Sequence, residues 1–427
     1  MQPTSISSAA ETKPASSTPA PKIRLAYFVS HPIQYQAPLL RRIAQEPDID
    51  LTVFFSSDLS VRGYKDSGFG VHVEWDVPLL EGYKYEFLPR IGDGDHLGFA
   101  KPLNWGIFDR LRKGRFDAVW VFGYSSLASL QAIVASAMLR LPVMIRTDSS
   151  LFDRRRSKEI LLAKSIFLKL LRPMLTCALS VGKGNTEYWK HYLGRDFPVF
   201  TMPYAVDNDF LGQKLVEAGT RREDYRRALG LQPGRPVIGF AAKLTTGKRC
   251  IDLVDAGLRI LAGPGQRPAP YLLIAGDGEE RARLEARVRD SGCSDIRFLG
   301  FMNQTELPRL YDLVDVFVLP SQQDAWGLAV NEAMIAGKPV IVTDRVGCYP
   351  DLVHNGVNGF VYEAGDVNAL CQHLRQLIAD PALRTTMGET SIRIIRQYSF
   401  EQDVAGLREA LAHVVSAFPP SHAICHC

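Results

Sequence analysis

From residue 23 onward the chain alternates between two hydrophobic rhythms. Short apolar runs rich in Val, Ile, Leu and Phe predict strands from Ile23 to Val29, 51 to 55, 118 to 122, 142 to 146 and 178 to 181. Most are separated by stretches whose apolar residues recur at helical spacing. Strands that alternate with helices specify a parallel sheet covered on both faces. The segment from Gly63 to Gly98 breaks the rhythm. Rich in glycine and aromatic residues, it reads as a hairpin or a mobile active-site loop.

The pattern pauses between Pro203 and Asp209. A charged helix follows at 221–229, then the sequence Gly-Leu-Gln-Pro-Gly-Arg-Pro. After it the rhythm restarts, with strands expected at 237–242, 271–275, 296–299, 316–319, 340–343 and 359–362. Helices are expected near 367–379, 382–397 and 401–416. The chain therefore reads as two doubly wound α/β domains, 22–204 and 205–398, facing a central cleft. A helix within 399–418 is expected to pack back on the first domain, leaving a tail at 419–427. Doubly wound sheets bind ligands at the carboxyl ends of their strands, beside helix N-termini.

Composition changes this picture little. A chain of 427 residues with 46% hydrophobic and 22% charged residues is ordinary for a globular protein of two or more domains. Residues 1–21 are polar and low in complexity, and are expected to be disordered. A net charge of +4, with no aromatic-basic module, argues against nucleic acid as a partner. Seven scattered cysteines and no apolar leader fit a cytoplasmic chain with reduced thiols. The end, His422-Ala-Ile-Cys-His-Cys427, lacks the spacing of a folded zinc site and reads as a disordered tail. The longest apolar stretch, Leu127 to Ile145, carries Gln131, Arg140 and Pro142, so it reads as a helix and a strand rather than a membrane span.

One basic amphipathic segment begins at Arg154-Arg-Arg-Ser-Lys158 and continues EILLAKSIFLKLLRPML. It could bring the protein weakly to the inner face of an anionic membrane, near a lipid-linked acceptor. The preferred reading is a core-facing helix with solvated lysines.

Three strand-to-helix turns carry candidate chemistry. In the first, LPSQQDAWGLAVNEAMIAGKPVIVTD, a strand ends at Pro320 and a helix begins near Gly327. Its N-terminus, with the backbone N–H groups of Gly327 and Leu328, suits a phosphate or a sugar hydroxyl. Asp324 and Glu332 lie eight positions apart, on the order of 12 Å along a helix axis. That spacing lets one acid meet a hexose while the other meets a ribose. In the second turn, Lys243 and Lys248 flank the loop after the first strand of the second domain. Two cations there suit a diphosphate and the charge it gains on departure. The third, Ala-Gly-Asp-Gly278, lacks the full dinucleotide fingerprint and reads as a tight structural turn, which argues against an NAD oxidoreductase.

Residues 236–365, above all WGLAVNEAMIAGKPVIVTDRVGCYPDLVHNGVNGF, resemble the second domain of the family 4 retaining glycosyltransferases, or glycosyl transferases group 1. SHPIQYQAPLLRR, VGKGNTEYW and MPYAVDNDF extend the resemblance into the first half. It implies the GT-B fold of two Rossmann-like domains. It also implies transfer of a sugar, with retention, from a UDP- or GDP-linked donor to a carbohydrate or lipid-linked hydroxyl acceptor. The setting would be bacterial surface polysaccharide or glycoconjugate assembly, with no metal or other cofactor. By the same resemblance Glu332 holds the donor ribose, Asp324 contacts the sugar, and Lys243 and Lys248 bind the diphosphate. Asp324 and Lys243 stand where the family usually has Glu and Arg, so the acid is one methylene shorter and the bidentate fork is lost.

Phe301 and Met302 are expected to flank the base. His31, Gln34, Arg146 and Asp148, at the ligand edge of the first sheet, are expected to face the acceptor. A nucleotide-sugar 2-epimerase and a non-catalytic nucleotide-sugar binding protein are the alternative readings.

Overall fold

The computed structural model describes residues 22–66, 68–92, 94–151, 157–263 and 268–417. The segments 1–21 and 419–427 and the arginines at 154–156, on which expectations were placed above, lie outside the described residues.

The first sheet has seven strands: β1 (Ile23–Val29), β2 (Ile49–Phe55), β3 (Lys84–Phe87), β4 (Ala118–Phe122), β5 (Val143–Arg146), β6 (Cys177–Ser180) and β7 (Val199–Thr201). Their order is β7-β6-β5-β4-β1-β2-β3, and every pair is parallel. The second sheet has six strands: β8 (Val237–Ala241), β9 (Tyr271–Ala275), β10 (Ile296–Gly300), β11 (Val316–Leu319), β12 (Val340–Thr343) and β13 (Gly359–Tyr362). Its order is β10-β9-β8-β11-β12-β13, again all parallel.

Both sheets wind outward from their first strand, return to its other side, and wind outward again. The reversal falls between β1 and β4 in one sheet and between β8 and β11 in the other. Connections diverge there, which opens a crevice at the strands' carboxyl ends.

The unbroken apolar runs follow from burial on both faces. In β1, Ala26 and Phe28 join a core with Leu111, Ile133 and Trp189, while Leu25, Tyr27 and Val29 join another with Leu40, Ile43 and Leu411. Because side chains alternate along a strand, one strand serves two helical layers.

The last helix, Phe400–Ala417, belongs to the second of these layers. Val404, Leu407, Leu411 and Val414 recur at helical spacing and are buried against the first sheet. A Cβ at Gly406 would lie 1.8 Å from the Thr201 carbonyl oxygen, so only glycine allows this approach.

Three expectations need correction. The Gly63–Gly98 segment is more than a hairpin or loop. Tyr64–Lys65 and His72–Val73 pair antiparallel, but Lys84–Phe87 joins the first sheet as its edge strand. Next, the helix Lys158–Leu171 is not core-facing over most of its length. Only Leu168 and Leu171 are buried, while Leu162, Ile166 and Leu170, at i, i+4 and i+8, are exposed. Finally, Arg146 ends its strand at the ligand edge but is buried and does not line the cavity described below. At 3% exposure it donates to the carbonyl oxygens of Met202 (3.0 Å) and Pro203 (3.1 Å) and pairs with Asp403 (3.3 Å). It ties the last helix to the strand and to the crossing between the sheets. No helix among the described residues is long and apolar enough to cross a membrane.

Candidate functional site

Two loops meet at the reversal point of the second sheet. The loop after β8 is anchored by the fully buried Leu244 and ends in a turn at Thr246–Lys248. The loop after β11 is bound to it, because the backbone N–H groups of Gln322 and Gln323 both donate to Gly247 O. Thr343 Oγ1 donates to Ser321 O, and Gly347 N donates to Asp324 O at 3.0 Å. These bonds hold Asp324 ahead of the helix Leu328–Ile335.

Gly327 caps that helix with φ +94°, and a Cβ there would lie 2.8 Å from Val346. Its turn needs glycine. Trp326 Nε1 donates to Asn331 Oδ1 (2.9 Å) and Asn331 Nδ2 donates to Tyr204 O (3.0 Å). The helix start is thereby fixed to the crossing between the sheets.

A cavity of about 1190 Å³ opens at this point. Lys243, Lys248, Asp324, Gly327, Leu328, Glu332, Phe301 and Met302 line it from the second sheet's side. His31, Gln34 and Asp148 line it from the first. Of the residues singled out from the sequence, Arg146 alone is absent from its wall, for the reason given above.

The charged groups are arranged in pairs. Lys248 Nζ donates to the Asp324 carboxylate, whose side chain is 12% exposed. Lys243 Nζ lies 2.8 and 2.9 Å from the two carboxylate oxygens of Asp66, contributed by the opposite side.

Glu332 accepts a hydrogen bond from Tyr311 Oη at 2.6 Å. Burial raises the Glu332 carboxyl to about 7, against the lowering effect of the Tyr311 bond. It is therefore a carboxylate poised near neutrality with one donor already satisfied. His31 is pushed down to about 4 by burial, which outweighs the attraction of Asp66, so its imidazole is neutral at pH 7. Its Nδ1 lies 2.9 Å from Ser30 Oγ.

Sequence reasoning missed Tyr311, Asp66, Phe69 and Trp75, all of which line the cavity. The last three lie in the glycine- and aromatic-rich segment that broke the strand-helix rhythm, which was the available signal. Tyr311 had none: it reaches Glu332 from the preceding helix, a matter of packing alone. The turn Gly276-Asp-Gly278 needs glycine at both ends, and Gly276 also lines the cavity. Cβ atoms there would lie 1.9 Å from Ala242 O and 2.5 Å from Leu244 O.

Two doubly wound domains around one cleft, with cations and acids gathered at the second sheet's reversal point, define a GT-B protein. Residues 221–393 match the family model of glycosyl transferases group 1.

The chain is 29% identical over 232 residues to 2-deoxystreptamine N-acetyl-D-glucosaminyltransferase of Streptomyces fradiae, covering 54% of this chain and 53% of that protein. It is 32% identical over 198 residues to D-inositol 3-phosphate glycosyltransferase of Corynebacterium urealyticum, covering 45% and 46%. The chain thus spans about half the length of the curated relatives it matches. Among solved structures, Anabaena Alr3699/HepE in complex with UDP superposes with a TM-score of 0.69 at 18% identity, covering 92% of this chain and 99% of that one. At that identity the likeness concerns the fold.

Proposed function

We propose that this protein is a retaining glycosyltransferase that moves a sugar from a nucleoside diphosphate sugar to a hydroxyl acceptor in surface polysaccharide or glycoconjugate assembly. The observation that carries this reading is the gathering of Lys243, Lys248, Asp324 and Glu332 around one cavity at the second sheet's reversal point. Glu332 accepts from the ribose hydroxyls. Lys243, Lys248 and the N–H groups of the first helical turn face the diphosphate and stabilise the charge it gains as the glycosyl bond breaks. Asp324 faces the sugar, and the acceptor hydroxyl attacks from the side the diphosphate leaves.

UDP is the favoured nucleotide, on the strength of the solved relative with UDP-glucose bound, which shares 18% identity and a TM-score of 0.67. A panel of nucleotide sugars read by thermal stabilisation tests this. UDP-linked sugars should raise the melting temperature and GDP-linked ones should not. Equal stabilisation by both would overturn the base assignment, and the anomeric configuration of the product, read by NMR, tests retention.

Glu332→Gln should weaken nucleoside diphosphate binding by about 1.5–3 kcal/mol, roughly 10- to 150-fold, as a charge-assisted bond is lost. The same change should stabilise the empty protein. A carboxyl raised to about 7 holds a proton in the fold that the unfolded chain has released above about pH 4.5. Stability contributed by this group therefore falls as pH rises from about 4.5 to 7, and stays low above. At pH 8 the Gln variant should melt a few degrees higher than wild type. A variant that binds UDP as well as wild type would remove Glu332 from the ribose site.

The exposed Leu162–Ile166–Leu170 stripe, flanked by Lys158 and Lys169, supports weak contact with an anionic membrane. Co-sedimentation with vesicles containing phosphatidylglycerol should exceed that with phosphatidylcholine alone and should fall with salt. Replacing the three apolar residues by Ser should abolish it. Equal recovery with both vesicles would end this reading.

A further inference from the structure

The segment 64–77 belongs by sequence to the first domain, yet it rests on the second. Asp66 holds Lys243 through both carboxylate oxygens. Its Oδ1 also accepts from Gly68 N (2.8 Å) and Phe69 N (2.9 Å), so the carboxylate closes a tight turn around the ammonium. The Phe69 ring centroid lies 4.8 Å from Lys243 Nζ. A Cβ on Gly68 would lie 2.6 Å from Lys243 Cδ, which is why the lysine can lie inside the turn.

Further along, Phe69 and Trp75 both meet the Phe301 ring edge-on, with centroids 4.9 and 6.2 Å away. Asn303 Nδ2 donates to Glu74 O at 2.6 Å, and Thr305 N donates to Asp76 Oδ2 at 3.1 Å. The contact therefore extends from the diphosphate lysine to the aromatic group beside the expected base pocket.

We propose that this segment is part of the donor site, with Asp66 a built-in counter-ion that the donor's diphosphate must displace from Lys243, and Phe69 and Trp75 the first domain's wall over the base pocket. This rests on the function proposed above.

The physical reason is competition for one cation. Lys243 has three N–H donors, and the Asp66 and Phe69 that engage it line the same cavity, so a diphosphate there competes with Asp66 for them. In the empty protein burial works against the Asp66 carboxylate, but bonds from Lys243, Phe69 and Gly68 outweigh it and hold its pKa below the usual value. Asp66 is therefore charged at neutral pH, and its negative charge stands beside the place a diphosphate needs. Each keeps the other from full use of Lys243. The arrangement also gives selectivity: a nucleoside without phosphates gains nothing by displacing the carboxylate.

Asp66→Asn isolates the charge, because the amide oxygen can still accept from Gly68 N and Phe69 N and keep the turn. UDP affinity, measured by calorimetry at low salt, should rise about 1.5- to 5-fold in D66N, the range of a partly exposed ion pair removed from competition. Uridine affinity should not change, and the UDP gain should shrink in 0.5 M salt. Phe69→Ala, which leaves the carboxylate in place, should instead weaken UDP and uridine alike.

D66N with unchanged or weaker UDP binding would overturn the counter-ion role. F69A with unchanged uridine binding would overturn the wall. If D66N is misfolded by circular dichroism, the wild-type salt dependence decides the matter. A competitor carboxylate makes UDP binding fall less steeply with salt than two free lysines would, and a slope of two full charges would sink the proposal. Wild-type protein that binds no nucleoside diphosphate at all would instead remove the proposed function itself.

Discussion

Lys248→Met should lower turnover by about 10²–10³-fold while the protein stays folded, measured as nucleoside diphosphate released with donor and acceptor saturating. The loss should fall mainly on kcat. The ammonium faces a group whose negative charge increases as the glycosyl bond breaks, so its attraction is stronger in the transition state than in the bound donor. The structure adds a condition to this. Lys248 is the partner of Asp324, whose side chain is only 12% exposed, so the variant leaves a carboxylate without its counter-ion. Lys248→Met/Asp324→Asn should therefore recover melting temperature without recovering rate. Near-normal kcat in the well-folded single variant would show that the lysine serves the loop and not the leaving group.

Arg146→Ala should destabilise the protein by about 3–5 kcal/mol, the usual cost of removing one member of a buried pair. Asp403 is fully buried, and burial already raises its carboxyl to about 7 against the pull of Arg146. Without the guanidinium it would take up a proton, and the carbonyl oxygens of Met202 and Pro203 would lose their donor. Since the last helix is held at this point, the loss should be read as a melting temperature lowered by on the order of 10 °C. Asp403→Asn should cost less, because an amide can still accept from Arg146. A stable Arg146→Ala protein with a raised acceptor KM would restore Arg146 to the acceptor site.

The contrast between Arg146 and Lys243 shows what could be read from the chain alone. Both lie at carboxyl ends of strands, and strand ends were legible because burial on both faces leaves continuous apolar runs. What a charged side chain at such an end does depends on what covers it. Lys243 meets a cavity, whereas Arg146 meets the last helix, which arrives from 257 positions away. No local pattern carries that information.

One edge strand of the first sheet was missed for a related reason. Lys84–Phe87 is half exposed and alternates in polarity, so it lacks the apolar run that marked its neighbours. The acid pair was legible as a spacing, but Tyr311 was not, since its bond to Glu332 joins two helices through packing. The segment 64–77 was visible only as an interruption of rhythm. Its contacts with the second domain depend on residues 177 and 229 positions away, which no local pattern reveals.

The paired lysines can be tested together by titrating UDP into wild-type protein and into Lys243→Ala/Lys248→Ala, by calorimetry at one salt concentration. Wild type should bind one UDP per chain. The double variant, still folded, should bind at least about 100-fold more weakly, since two charge-assisted contacts of ~1.5–3 kcal/mol each are gone. Equal affinity in the two proteins would mean that the diphosphate does not lie between these lysines, and the reading of the cavity as a sugar-nucleotide site would fall with it.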